Sequence, residues 1–363
     1  MKVIALLGRR DEPTDGVADY CSFLAQALRK QNIELEIVRI PWAERGWAEA
    51  MRWLAGESSN WRADWVLLQY TALSWSRRGF SVRARDILKL LRQRGLRCAV
   101  VFHDAHPFEG TRFRDKVRQK IQIRTMLQLY RNSERSAFTV ALKTAEWLPH
   151  DAPHAAFIPI GANIPNLCIH KTYRSTDSPK IVAVFSVTDG EPRVQEVDDI
   201  VGAVKLVHAR IGPVRLEVFG RGAENARKLL ENGLSVPGID LHVRGIIPAE
   251  EITRTLAAAH VLVFVRGLTN SHRGTAVAGI ACGLPVVGYG QPGADPAIDM
   301  AGVCLAPWRN PEVLAELLVT VLQDENLWDQ LHERSLKALA EYFSWDAVAG
   351  RFTELLGDSA VRK

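Results

Sequence analysis

The chain has 363 residues, a formal net charge of +5 and a pI of about 9.0, with 47% hydrophobic and 24% charged residues. That length is more than one ordinary core and favours two domains, and the mild basic excess permits anionic partners without calling for nucleic acid. No apolar run approaches the ~20 residues of a bilayer span, and five scattered cysteines without a CxxC pair exclude a disulfide framework. Cys21, Cys98, Cys168, Cys282 and Cys304 read as reduced residues of a cytoplasmic protein. Met1–Lys2 leads straight into a short strand-like run, Val3–Leu7, rather than the apolar core of a signal peptide.

In the first half, strands are expected at Val3–Leu7, Leu35–Ile40, Trp65–Tyr70, Cys98–His103, Phe138–Leu142 and Ala155–Ile158. Helices are expected between them at Val17–Lys30, Ala48–Leu54, Val82–Arg94 and Phe113–Ser133. This alternation argues a parallel sheet with helices on both faces. The turn after the first strand ends Asp15–Gly16, where Gly16 either lets backbone approach a ligand or simply makes a turn with Asp15 as N-cap. It is not GxGxxG, so a nicotinamide or flavin cofactor has no support.

His103 ends a strand, at the carboxyl edge where such folds bind ligands, and a neutral imidazole there can donate to or accept from a substrate hydroxyl. A structural or capping histidine is the alternative. His103 and His106 lack the further ligands that a metal would need. The helix beginning Arg112–Phe113 is basic, with Phe113, Val117 and Ile121 on one face, so residues 112–124 are a candidate for peripheral membrane contact. A solvated helix packed by that one stripe is the competing reading.

Residues 166–179 are polar and aperiodic, as a linker would be. Strands are then expected at Ile181–Ser186, Arg215–Phe219, Asp240–Arg244, Val261–Val265, Leu284–Val287 and Val303–Ala306. Helices are expected at Val197–Ile211, Ala223–Glu231, Ala249–Ala259, Ala276–Cys282 and Pro311–Asp324. The fold class is therefore α/β, two doubly wound Rossmann-like domains with a ligand cleft between them. The stretch Val261–Gly290 carries the strongest chemistry: a buried strand, then Arg266, Asn270, Arg273, Gly274 and Thr275, then a small-residue helix. A strand end feeding a helix N-terminus binds anions, and an arginine fork beside it points to a phosphate.

The second half resembles the GT-B glycosyltransferases of the large retaining group, family four. The resemblance rests on Val218–Phe219–Gly220–Arg221–Gly222, Pro248–Ala249–Glu250–Glu251–Ile252, Leu256–Ala257–Ala258–Ala259–His260, Ala281–Cys282–Gly283–Leu284–Pro285–Val286–Val287 and Phe343–Ser344–Trp345. In the first half Asp15–Gly16–Val17–Ala18–Asp19–Tyr20, His103–Asp104 and Ile158–Pro159–Ile160–Gly161–Ala162–Asn163 look like the family's glycine loop, catalytic-edge histidine and interdomain crossing. Two departures stand out. The slots of the family's paired glutamates hold Asn270 and Ala278, and its Arg/Lys pair after the second domain's first strand is missing, with Arg193 as a partial substitute.

The resemblance implies the GT-B fold, with residues 1–165 an acceptor-side domain, 166–179 a linker, 180–342 a nucleotide-sugar donor domain, and 343–363 a helix returning to the first domain. It implies a hexosyltransferase-type enzyme that moves a sugar from a nucleoside diphosphate sugar to an acceptor hydroxyl in polysaccharide, glycolipid or other glycoconjugate synthesis, retaining the anomeric configuration. His103 and Arg273 are the candidate catalytic residues. Gly16, Arg221, Arg266, Asn270, Gly274 and Thr275 are the candidate donor contacts. No metal or cofactor is expected beyond the nucleotide-sugar co-substrate, and the partners are that donor and a carbohydrate or lipid-linked acceptor. The protein is expected in the cytoplasm, at the inner membrane face. A non-catalytic sugar-nucleotide or polysaccharide-assembly protein that kept the fold is the alternative.

Overall fold

The computed structural model describes residues 1–12, 14–165 and 179–357; all but the last position of the expected linker lies outside them. The chain forms two compact units, Met1–Gly161 with Trp345–Lys363, and Ala162–Ser344.

In the first unit, β1 (Lys2–Leu7), β2 (Glu34–Arg39), β3 (Trp65–Tyr70), β4 (Cys98–Phe102), β5 (Arg135–Phe138) and β6 (Ala155–Phe157) lie in the order β2-β1-β3-β4-β5-β6. All neighbours are parallel. The connecting helices are α1 (Gly16–Arg29), α2 (Trp42–Arg45), α3 (Trp47–Glu57), α4 (Arg83–Gln93) and α5 (Phe113–Asn132). Every residue of β3 is buried, as a strand covered on both faces by crossover helices must be. The strand expected at Phe138–Leu142 runs instead from Arg135 to Phe138. Ser136 accounts for the shift: it is fully buried with its hydroxyl 3.0 Å from that of Ser133, so a satisfied polar residue begins a core strand.

The second unit repeats the plan with β7 (Lys180–Phe185), β8 (Val214–Phe219), β9 (Ile239–Val243), β10 (Val261–Leu268), β11 (Val286–Tyr289) and β12 (Cys304–Ala306). Their order, β12-β11-β10-β7-β8-β9, is that of a dinucleotide-binding fold, with the switch point between β7 and β10. Around it stand α6 (Pro192–Ile211), α7 (Ala223–Gly233), α8 (Ala249–Ala258), α9 (Gly274–Ala281), α10 (Pro296–Ala301), α11 (Pro311–Gln323) and α12 (Glu325–Ala338). The sequence reading has no counterpart for α12. That helix buries only Trp328, Leu331, Ser335 and Ala338, a single stripe among polar residues, and starts at an Asp324 cap that accepts from Leu327 N–H at 2.9 Å.

The last helix, α13 (Trp345–Gly357), belongs to the first unit. Trp345 stacks on Phe23 of α1 (ring centroids 5.5 Å, 11° between planes) and meets Tyr20 edge-on. Val348, Ala349, Phe352 and Leu356 are buried in one cluster with Leu24 and Leu28 of α1 and Ala5 of β1. The buried indole N–H of Trp65 donates to Leu356 O at 3.0 Å. These contacts make α13 part of the first unit's core. Phe352→Ala is expected to destabilise that unit by about 3–5 kcal/mol through lost burial and a residual cavity, measured as a loss of unfolding free energy in urea.

Candidate active site

A cleft that brings two arginines to a helix start lies in the second unit, at the carboxyl ends of β7 and β10. It has a volume of about 340 Å³, and its wall runs from Asn163 and Phe185 through Phe264 and Arg266 to Arg273 and Thr275. His272, Gly274, Ile164, Ile252 and Ala278 complete it. Phe185, Ile252, Phe264 and Ala278 supply an apolar side; the arginines and the start of α9 supply a polar, cationic one.

The polar side follows from the loop's own hydrogen bonds. Beyond the last buried residue of β10 the strand bulges at Gly267, which has φ +87°. A Cβ there would lie 3.2 Å from Nη2 of Arg273, so glycine leaves room for the guanidinium. Thr269 N–H donates to Tyr289 O (2.7 Å) and Ser271 N–H to the Asp295 carboxylate (2.8 Å), pinning both arms of the loop to β11 and to the cap of α10. Arg273 then stands at the N-cap of α9 with no side-chain cap bond. The first intrahelical bond runs from Val277 N–H to Arg273 O (3.0 Å), so the N–H groups of Gly274, Thr275 and Ala276 have no intrahelical acceptor. An uncapped N-terminus beside guanidinium groups is an anion site by dipole, by donor geometry and by charge.

Arg266 comes off β10 with Nε 3.4 Å from the Thr188 hydroxyl. Burial pulls its guanidinium below the ordinary arginine value; the Glu196 carboxylate opposes that shift, Arg221 adds to it, and Asp189 opposes it. Arg221 sits in the turn Gly220–Gly222, whose approach to β7 needs glycine: at Gly222, φ +78°, a Cβ would lie 2.0 Å from Val187 O. Glu196 also accepts from Thr188 N–H (2.7 Å), so this acid both neutralises the arginine cluster and fixes the loop that touches it.

Of the residues singled out in the sequence, Arg266, Arg273, Gly274 and Thr275 meet in this cleft, and Arg221 is the electrostatic neighbour of Arg266. Asn270 does not line it. Its backbone carbonyl accepts from Arg273 N–H (3.0 Å) and its side-chain oxygen from His272 N–H (3.3 Å), so it shapes the loop instead. Ala278, in the second glutamate slot, does line the cleft, and no carboxylate is among the lining residues. Arg193 turns toward Asp189 (3.9 Å). Asn163 is a lining residue that sequence reasoning quoted only as part of a crossing motif. Its side-chain oxygen is buried and has no hydrogen-bond partner among the described residues, which leaves an acceptor at the cleft wall.

Gly16 and His103 belong to the first unit. Asp15 caps α1 by accepting from Ala18 N–H (3.1 Å) and pairs with Arg39 at 2.7 Å, so this helix start already has its own anion. No atom lies within 4 Å of the position a Cβ would take at Gly16; glycine there leaves open space rather than relieving a clash. His103 follows β4, with its ring edge-on to Tyr20 at 4.8 Å. The Gln69 amide donates to Leu67 O (3.5 Å), which directs its oxygen at His103 Nε2, 2.8 Å away. Nε2 is thereby the donor and Nδ1 the lone-pair atom of a neutral ring. His106 gives its Nε2 to Thr144 O at 2.9 Å.

Two doubly wound units, each built on a sheet of six parallel strands, are the GT-B fold. Residues 179–324 match the family model described as glycosyl transferases group 1, a span that holds the cleft residues from Phe185 to Ala278. Among solved structures the chain is similar to Anabaena HepE in complex with UDP and glucose, at 14% identity and a TM-score of 0.65, over 98% of this chain and 99% of that one. It is similar to sucrose-phosphate synthase from Thermosynechococcus elongatus at 14% identity and a TM-score of 0.70, over 98% of both chains. A Listeria monocytogenes protein described as a UDP-N-acetylglucosamine 2-epimerase matches at 14% identity and a TM-score of 0.60, over 97% of this chain and 94% of that one. These identities concern the fold. Among curated proteins no relative matches.

Burial lowers the His103 imidazole from 6.5 to about 4. The unfolded chain therefore binds the proton first, and stability falls as pH drops from about 6.5 toward 4 while remaining unaffected by this group above that window. His103→Gln should flatten the dependence of Tm on pH between those values. An unchanged slope would show that the ring is not held neutral.

Proposed function

We propose that the protein is a glycosyltransferase that takes a hexose from a nucleoside diphosphate sugar and passes it to an acceptor hydroxyl, with retention of anomeric configuration and without a metal. One observation carries the reading. The uncapped start of α9, Arg266 and Arg273 converge on a cleft with an apolar flank, inside the span that matches the glycosyl transferases group 1 model. A diphosphate on the cationic side leaves the base or sugar against Phe185, Phe264 and Ile252, and Asn163 accepts from one of their N–H or O–H groups. As the glycosidic bond breaks, negative charge grows on the departing diphosphate, and fixed cations and backbone N–H groups stabilise it without reorganising. That HepE was crystallised with UDP and glucose supports the same ligand class here.

Within this reading the second unit holds the donor and the first the acceptor, with the Nδ1 lone pair of His103 accepting from a sugar hydroxyl. The missing paired glutamates disfavour a hydrolase that works through two carboxylates, because the lining offers neither an acid nor a nucleophile of that kind. A non-catalytic protein with this fold is separated from the enzyme by turnover alone. Arg273→Ala is expected to lower kcat by about 100-fold or more while leaving the fold intact. Asn163→Ala should chiefly weaken stabilisation of the protein by UDP, GDP, ADP or dTDP in thermal denaturation. If none of these nucleotides raises the Tm of the native chain, the donor site is refuted; if they do and no donor panel yields transfer, the protein is a binder.

We also place the acceptor membrane on the first unit, at the N-terminal half of α5. Phe113 is 80% exposed and Phe108 47%. They stand among the exposed Arg112, Arg114, Lys116 and Lys120, while the helix packs on its core through Met126 and Leu129. Among the described residues no helix is long and apolar enough to cross a membrane, so the contact would be interfacial. Phe113→Ser should reduce co-sedimentation with phosphatidylglycerol vesicles several-fold, and salt should reduce it further. Equal sedimentation by both proteins would remove this surface from the reading.

A further inference from the structure

The first unit holds a second cleft that neither the anion site nor His103 uses. It has a volume of about 290 Å³ and opens among Trp42, Trp47, Phe80, Arg77, Arg78 and Arg83. The tryptophans follow β2, and the other residues follow β3, so the cleft sits at the carboxyl edge of the sheet beside the point where strand order reverses between β1 and β3.

Its walls are built rather than accidental. Trp42 and Trp47 stack at 4.9 Å with 8° between their planes, and Trp42 is 6% exposed. The indole N–H of Trp42 donates to Ser74 O (2.8 Å) and that of the fully buried Trp75 to Gln69 O (2.9 Å). With those polar edges bonded, Trp42 and Trp75 are buried in the lining, and Trp47, half-buried and stacked on Trp42, is the indole with surface left for a ligand. Gln69 is the residue whose side-chain oxygen holds His103, so one buried residue anchors the Trp75 indole through its main-chain carbonyl and the edge histidine through its side chain.

The charge at the mouth has one sign. Arg77 gives one N–H to Ala43 O (3.0 Å), Arg83 is paired with Asp86 (3.0 Å), and no carboxylate lines the cleft. Arg78 is exposed, and its side chain has no hydrogen bond or ion pair among the described residues. A guanidinium left in this state beside aromatic faces fits a ligand with a ring to lie on the indoles and an anionic group to meet the fork.

We infer that this cleft binds a saccharide carrying a phosphate or carboxylate group, and that such an anionic sugar is the acceptor. The acceptor role rests on the transferase reading; the binding of an anionic sugar does not. Isothermal titration calorimetry of the full chain with glucose 6-phosphate, glucuronate, glucose and inorganic phosphate tests it. One or both charged sugars should bind, with glucose and inorganic phosphate each at least about tenfold weaker, since each supplies half of the recognition. Arg78→Glu and Trp47→Leu, both checked for an unchanged melting temperature, should each weaken the charged sugar by about tenfold or more, the first through loss of a charge-assisted hydrogen bond and the second through loss of the ring's stacking surface. UDP binding should be unchanged in both variants, and Arg273→Ala should show the reverse pattern. The inference is overturned if no charged sugar binds, if Arg78→Glu binds it as tightly as the native chain, or if phosphate alone binds equally well. Because UDP is scored in the same titrations, failure here leaves the donor reading standing on its own result.

Discussion

The second unit is organised around a concentration of positive charge that the fold must hold in place without an anion of its own at the cleft. Arg273 stands at the head of a helix whose first N–H groups are uncapped, and Arg266 lines the same cleft. Like charges beside a positive helix end repel, and partial burial of Arg266 adds a desolvation cost. The compensation comes from behind the cleft, where Glu196 and Asp189 act on the arginine cluster from the β7 side. Carboxylates placed there offset part of the cost of burying the Arg266 guanidinium. The rest of the local structure serves this arrangement: the Gly267 bulge that admits a guanidinium, the Ser271–Asp295 tie and the Asn270 turn.

The two helix starts singled out in the sequence show the same physics with opposite outcomes. Asp15 supplies α1 with a side-chain cap and a negative charge, itself paired with Arg39. Arg273 supplies α9 with neither. A helix that already owns its anion has little left to offer a phosphate, whereas α9 retains its donors. The carboxyl edge of the first unit's sheet is instead neutral and aromatic, with His103 kept uncharged by burial and the indoles of Trp42 and Trp75 buried with their N–H groups bonded. Arg77, Arg78 and Arg83 add positive charge at the mouth of the aromatic cleft.

Much of the architecture was legible in the sequence because parallel strands buried on both faces are continuous apolar runs, and a run such as Trp65–Tyr70 admits few other readings. Two elements escaped: α12 shows only one stripe of apolar residues, and β5 opens with Arg135 and Ser136, the second a buried polar residue that Ser133 satisfies. That Arg266, Arg273, Gly274 and Thr275 meet in one cleft was readable because they are neighbours in the chain and lie where a strand ends and a helix begins.

By itself, then, the sequence determined two repeating α/β halves and the chemistry of one strand-end loop, since both are local patterns of side chains along the backbone. The tertiary structure alone decided what depends on residues far apart in the chain. It put α13 into the core of the first unit and brought Asn163 to the cleft wall with an acceptor that no donor among the described residues meets. It turned Asn270 inward to the loop while Ala278, from the other glutamate slot, faces the cleft. It also joined tryptophans after β2 to arginines after β3. Burial, desolvation and hydrogen-bond satisfaction are properties of the packed neighbourhood, and no spacing along the chain encodes them.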